Sequence, residues 1–412
     1  MSRLKLTLSV AVVLLLSVTV GTALAQEPTL ISTDEFTGTA VIWDDQALSD
    51  AVTYALTNVE TPTGDTELVG WLVSDDGSRK LNTGAMAIAD DGSVTQTFNS
   101  ESARYTGEDL ISAYSTVAIT VEVAGSNPDA PAGPVVYSHG VPPGAIAHIR
   151  HLTSDWPSGS GVGILTNIKL QLGVALLHAN LANDQTTIAA VRAHLEHVIN
   201  AIEGPTGSNY GDLNGDDAVQ DFGDGIGVIL HAKDRKHGGF AFGQALSDEV
   251  IKLHSEGVEA SGKNAEDWAN QAVAEALIAF AETDLSFAKL SVSGVMSFLT
   301  NALNGVDADA SGTIEPVAGE GGAVQAYVEA QLMATYTLQV GPPPTPTPTP
   351  RPAATATPRP TATATPLPTA TPEPPKSVGD PSVPGLANLA MLTAVLFLVG
   401  GGVVLLRRRP RA

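Results

Sequence analysis

The chain has 412 residues, with 44 acidic side chains, 21 lysines and arginines, and no cysteine. A formal charge of −23 repels phosphate backbones, which excludes nucleic-acid binding as a function class. The lack of cysteine excludes disulfide frameworks, thiolate metal sites and thiol catalysis.

The first 25 residues have the pattern of a secretory signal peptide. A positive start at Arg3 and Lys5 precedes an apolar stretch over residues 6–20, and a small-residue cleavage site ends at Ala25. We therefore expect the mature chain to begin at Gln26 and to fold outside the cytosol.

The C-terminal part of the chain predicts a stalk and a membrane anchor. Residues 341–380 are rich in proline and threonine, which favours an extended polyproline II spacer. Residues 386–406 are an uncharged apolar run, long enough for a transmembrane helix. Arginines dominate residues 407–412, which predicts a cytoplasmic tail and an extracytoplasmic N-terminus. This C-terminus resembles the anchor tails of bacterial surface proteins.

Residues 26–142 predict an antiparallel β-sandwich. Alternating apolar runs over 39–43, 52–56, 69–73 and 117–123 are typical of half-buried strands. The pairs Asp76-Gly77 and Asp91-Gly92 lie between such runs and indicate tight turns. Short strands at regular spacing favour a sandwich.

This region also resembles a known family. The segment Glu67–Val73, followed by Asn82-Thr83-Gly84, together with Val117–Val123 and the downstream Gly125-Ser126, is similar to the extracytoplasmic C-terminal domain of anti-sigma-K factors. The resemblance covers residues 36–140 and implies a β-sandwich with a sensory or binding role. It does not carry over the anti-sigma activity, because that activity needs a cytosolic sigma-binding domain that the predicted topology does not provide.

Residues 143–340 predict an all-α helical bundle, which makes the fold class α+β and multidomain. Alanine, leucine, glutamate and glutamine dominate, and apolar residues recur with helical spacing. We expect helices over residues 145–155, 162–181, 184–203, 242–256, 264–283, 285–303 and 322–336.

Eight of the nine histidines lie in the predicted bundle. His148 and His151 form one pair three residues apart, and His194 and His197 form another, so each pair shares one helix face. His178 lies between the pairs, in an apolar helix. Facing histidine pairs can bind a transition metal or ligate a haem without covalent attachment. Ordinary core or surface histidines are the alternative, and the sequence leaves both open.

Two acidic segments resemble the calcium loops of EF-hand and dockerin proteins. Alternate residues of such a loop point inward and offer oxygen ligands to Ca²⁺. Both segments lack the usual carboxylate at the twelfth position, so we expect low affinity, and a loop without an ion is the alternative. The candidate ligands are Asp212, Asn214, Asp216, Asp221 and Asp224 in the first loop, and Asp307, Asp309, Ser311, Thr313 and Glu320 in the second.

The sequence contains no phosphate-binding loop, dinucleotide fingerprint or zinc-protease motif, so we expect a protein that is not an enzyme. The leading hypothesis is a membrane-anchored extracellular binding or sensor protein with calcium-binding loops. Its partner is an extracellular protein or cell-wall ligand of unknown identity. One alternative is a histidine-rich bundle that binds a transition metal or haem for redox chemistry or metal handling. Another is a structural cell-surface component without a specific ligand.

Overall fold

The computed structural model describes residues 35–343. This part of the chain has an α+β fold, with two antiparallel sheets and a set of packed helices. The predicted signal peptide, nearly all of the stalk, the apolar run over 386–406 and the arginine-rich tail lie outside the described residues. Between residues 35 and 343, none of the helices has the length and apolar character needed to span a bilayer.

The strands come mostly from the first third of the described chain. They are β1 (Thr37–Trp43), β2 (Ala51–Thr57), β3 (Thr66–Val73), β4 (Lys80–Met86), β5 (Val94–Phe98), β6 (Thr116–Val123), β7 (Val135–Gly140), β8 (Tyr336–Thr337) and β9 (Gln339–Val340). One sheet has the order β5-β2-β1-β8 and the other has the order β4-β3-β6-β7-β9. All four predicted strand runs are confirmed, and Gly77 and Gly92 adopt the positive φ that the turn signals predict.

Alternation along the strands places apolar side chains inside. In β1, Ala40 and Ile42 are buried while Thr39, Val41 and Trp43, which alternate with them, are partly exposed. Both sheets contribute to a common core, with Tyr54 from one and Leu72 and Ile119 from the other among its members. Burial of this apolar surface is the main driving force for the fold.

All but one of the described helices lie between β7 and β8 along the chain. The helices are α1 (Leu110–Ala113), α2 (Pro143–Thr153), α3 (Ile164–Asp184), α4 (Ile188–Glu203), α5 (Val228–Lys233), α6 (His237–Gly243), α7 (Glu249–Ala281), α8 (Leu285–Asn304) and α9 (Ala323–Leu332). A 3₁₀ turn over Asp234–Lys236 joins α5 to α6. The predicted helices over 145–155, 162–181, 184–203, 285–303 and 322–336 are confirmed to within a few residues.

The predicted pair of helices over 242–256 and 264–283 is wrong, because α7 is one continuous helix. Gly257 and Gly262 lie near the predicted break, and a helix-interior glycine costs about 1 kcal/mol relative to alanine. Here both glycines serve close packing, since a Cβ at Gly257 would meet the Glu329 side chain and one at Gly262 would meet Arg235. The short helices α5 and α6 had no clear periodic signal.

The sheets and the helices share one hydrophobic core. After α9 the chain returns to the sheets, where Tyr336 of β8 pairs with Ala40 of β1 and Val340 of β9 pairs with Tyr137 of β7. The predicted boundary at residue 142 therefore separates most of the strands from most of the helices along the chain. The segment after α9 nevertheless adds one short strand to each sheet.

Candidate metal centres

The first histidine centre consists of His148, His151 and His237. The first two lie three residues apart on α2, and His237 is the first residue of α6. The Nδ1 atom of His237 lies 2.9 Å from Nδ1 of His148 and 3.1 Å from Nδ1 of His151. His237 is buried and the other two are partly exposed.

Aromatic rings enclose this centre. Trp156 lies with its ring centroid 4.6 Å from that of His237 and 4.8 Å from that of His151. Phe240, which is half exposed, packs against His148 and His237 at centroid distances of 5.5 and 5.4 Å. His151 also lines a cavity of about 390 Å³.

The second histidine centre consists of His178, His194 and His197. His178 comes from α3, and the other two lie three residues apart on the adjacent α4. The Nδ1 atom of His178 lies 3.1 Å from Nδ1 of His197 and 3.3 Å from Nδ1 of His194. Phe222 covers the rings of His178 and His197 at centroid distances of 4.8 and 4.5 Å.

Hydrogen bonding among the imidazoles alone cannot satisfy either centre. Each neutral imidazole nitrogen carries either one proton or one in-plane lone pair. His237 Nδ1 faces two other Nδ1 atoms, and His178 Nδ1 does the same, so each can make only one good hydrogen bond to its two neighbours. A cation at the centre would accept all three lone pairs.

The spacing of the nitrogen atoms fits a metal ion. Zinc–imidazole bonds of about 2.0–2.1 Å in a tetrahedral site place two ligand nitrogens about 3.3 Å apart. The measured Nδ1–Nδ1 distances of 2.9 to 3.3 Å lie at or slightly below that value. In each centre the three ligand atoms lie within 4.8 Å of one another. Three protein ligands leave one tetrahedral position open.

Burial disfavours the charged form of most of these histidines. It lowers the pKa of His178 to about 4, helped by the neighbouring His197 and His194, and it lowers the pKa of His237 to about 4, helped by His151 and His148. The pKa values of the partly exposed members of both centres are also lowered, first by burial. Neutral imidazoles offer their lone pairs to a metal without competition from protons at neutral pH.

A loop over residues 211–222 packs onto the second centre. The buried carboxylate of Glu196 accepts hydrogen bonds from the backbone N–H groups of Leu213, Asn214 and Gln220, at 3.0 to 3.1 Å. The side chain of Asn200, on the same helix face as Glu196, donates to the carbonyls of Gly211 and Gln220. These bonds hold the Gln220 side chain 2.6 Å from Nε2 of His197.

This loop and the two residues after it contain the first predicted set of calcium ligands, and the aspartates of that set bind separate backbone N–H groups. Asp212 accepts hydrogen bonds from the backbone N–H groups of residues 215, 216 and 217, and Asp221 accepts one from Gly223. Asp224 accepts from residues 226 and 227 and lies 2.6 Å from Nε2 of the buried His231. No three carboxylates of this loop, all of which the structure describes, form a convergent group.

The second predicted loop is more compact. The carboxylates of Asp307, Asp309 and Glu320 have ligand oxygens within 4.8 Å of one another, and we call this group the carboxylate cluster. The predicted ligands Ser311 and Thr313 instead hydrogen-bond the carboxylate of Glu315. That carboxylate also raises the pKa of Glu320.

The structure separates the five predicted histidines into two centres and adds His237 to one of them. His237 lies 86 residues after His151, at the start of a helix with no periodic pattern, so its sequence position gave no signal. Of the other histidines, His231 is bound to Asp224 and His254 lies 2.7 Å from Glu329. The sequence also gave no signal that Phe222 and Gln220 contact the second centre. Stacking on a histidine ring or hydrogen bonding to one requires no fixed spacing along the chain.

Comparison of this chain with protein-family models, with curated proteins and with solved structures finds no match. The candidate function therefore depends on the geometry of the centres.

Proposed function

We propose that this protein binds divalent transition-metal ions outside the cytosol through its two three-histidine centres. The observation that supports this best is the convergence of three Nδ1 atoms at each centre, at distances that suit one metal ion. All six donors are imidazole nitrogens, which suits Zn²⁺ and Cu²⁺ better than Ca²⁺ or Mg²⁺.

The geometry favours a single ion over haem. Axial haem ligands approach the iron from opposite faces of a flat ring, whereas the three ligand atoms of each centre lie within 4.8 Å of one another, too close to have a haem between them. The role we propose is metal handling by a membrane-anchored, non-enzymatic surface protein, in which the predicted stalk holds the sites away from the membrane.

Metal stoichiometry tests this proposal. The purified full-length chain, stripped with chelator, should bind two equivalents of Co²⁺ with visible bands typical of tetrahedral nitrogen ligation. His237→Ala and His194→Ala should each remove one equivalent, and the double variant should remove both.

His254→Ala is the matched control, because His254 is a partly buried histidine outside both centres. It should keep two equivalents. Failure of the unmodified chain to bind Co²⁺, Zn²⁺ or Cu²⁺ above background, or equal losses in the control, would refute the proposal.

A calcium-binding role remains our second candidate, at the carboxylate cluster alone. Asp307, Asp309 and Glu320 bring three oxygen donors together, and the Glu315 carboxylate is close enough to raise the pKa of Glu320. Oxygen donors on a curling loop suit a hard cation, and an extracellular location would supply millimolar Ca²⁺. The β-sandwich resembling anti-sigma-K factors would then contribute the binding or sensing surface.

A further inference from the structure

The loop that the sequence assigned to calcium is built around a histidine ligand of the second centre. Three of its backbone N–H groups bind the fully buried Glu196, and two of its carbonyls bind Asn200, which is also fully buried. Both residues lie on α4 beside His197. Gln220 is bound to this helix through both its N–H and its carbonyl, as is Gly211.

The Gln220 side chain has two partners. Its Oε1 atom lies 2.6 Å from Nε2 of His197, and its Nε2 atom donates to Oδ2 of Asp216 at 3.2 Å. A carboxylate at neutral pH can only accept hydrogen bonds, so Asp216 requires the NH₂ group of Gln220 on its side. The carbonyl oxygen of Gln220 must then face His197.

We infer that the hydrogen-bond chain Asp216–Gln220–His197 fixes the tautomer of His197 that can bind a metal. Because Oε1 can only accept, Nε2 of His197 carries the proton, and Nδ1 keeps its lone pair. That Nδ1 atom is the one that lies 3.1 Å from Nδ1 of His178, in the group that also includes His194. Asp216 and Gln220 are therefore positioning residues for the second centre, and Asp216 acts without touching the metal.

The expected consequence of the fixed tautomer is tighter metal binding at the second centre, and this consequence rests on the proposed function. Hydrogen-bond partners of metal-bound histidines typically change metal affinity by about 10- to 100-fold. Within the described chain, no side chain makes an equivalent bond to Nε2 of the first centre's histidines. The second centre should therefore fill before the first.

The tautomer can be measured without any metal. In the full-length chain labelled with ¹⁵N-histidine and treated with chelator, long-range ¹H–¹⁵N correlation spectra distinguish protonated Nε2 from protonated Nδ1. His197→Gln assigns the signals. We expect His197 to be protonated at Nε2, and Asp216→Asn to give a mixture of tautomers, because an asparagine can donate as well as accept.

The control is Asp217→Asn, which makes the same charge change one residue away. Asp217 is exposed, lies outside the hydrogen-bond chain, and adopts a φ of 68°, which asparagine tolerates well. Asp216→Asn should weaken Zn²⁺ binding at the second centre by about tenfold and Gln220→Ala by about 10- to 100-fold, while Asp217→Asn should change neither the spectrum nor the affinity.

A His197 protonated at Nδ1 in the unmodified chain would overturn the inference, whatever the metal affinity. Equal effects of Asp216→Asn and Asp217→Asn would also overturn it, since charge rather than hydrogen-bond direction would then be responsible. A fixed Nε2–H tautomer in a chain that binds no metal would uphold the hydrogen-bond chain and refute the proposed function. Both aspartate variants change an exposed residue, so the test does not depend on Gln220→Ala folding.

Discussion

Glu196→Gln is the substitution that tests most directly how the loop over residues 211–222 is held on the second centre. Glu196 is fully buried, with one carboxylate oxygen bound to the N–H groups of Leu213 and Asn214 and the other bound to that of Gln220. Glutamine keeps the shape of the side chain but replaces one acceptor oxygen with an NH₂ group.

The cost follows from the hydrogen bonds that are lost. In its best orientation the new side chain keeps the two bonds to Leu213 and Asn214 and turns its NH₂ group toward the N–H of Gln220. One charge-assisted bond disappears and a buried N–H loses its acceptor, which together should lower the free energy of unfolding by about 3 kcal/mol. The displaced Gln220 should also weaken Zn²⁺ binding at the second centre by about tenfold or more.

Urea unfolding of the full-length chain in the presence of chelator measures the first effect. Hydrogen exchange should show faster exchange at the amides of Leu213, Asn214 and Gln220. Glu256→Gln is the control, because Glu256 is an exposed helical glutamate, and it should change stability by less than about 0.5 kcal/mol. If Glu196→Gln matches that control, or if Zn²⁺ binding falls equally at both centres, the role given to Glu196 is wrong.

Three further predictions concern protons and metal ions. Because the folded-state pKa values of His178 and His237 are about 4, below the ordinary 6.5, the unfolded chain binds more protons between those values, so stability should fall as the pH drops from 6.5 toward 4. Each histidine contributes at most about 3 kcal/mol to the free energy of unfolding, and solvent screening reduces this to on the order of 1 to 2 kcal/mol. Chemical unfolding with chelator at pH 7 and at pH 5 measures the difference, and equal stability at the two pH values would contradict the prediction. Zn²⁺ at 100 times its Kd should stabilise the chain by about 2.7 kcal/mol per centre, or about 5.4 kcal/mol for both. Calorimetry should show a gain of only about 2.7 kcal/mol in His151→Ala, whereas an unchanged gain would argue against the first centre. Ca²⁺ in excess over chelator should raise the Tm of the unmodified chain but not that of Glu320→Gln, and equal Tm values with and without Ca²⁺ would exclude the carboxylate cluster as a site.

The sequence by itself determined much of the local structure. Strand alternation around Ala40 and Ile42 and the turn glycines at 77 and 92 are local signals, and the structure confirms them. The pairs His148–His151 and His194–His197 were also visible, because two residues three apart on a helix share a face whatever the rest of the chain does.

Only the tertiary structure decided which side chains meet. The histidine pairs do not face each other. Each instead meets a third histidine from another helix, and His237 reaches the first centre from 86 residues away. The Asp216–Gln220–His197 chain likewise exists only because Glu196 and Asn200 fold the loop back onto α4. The spacing of two residues along the sequence predicts that they share a helix face. Whether a third histidine joins them depends on how separate helices pack.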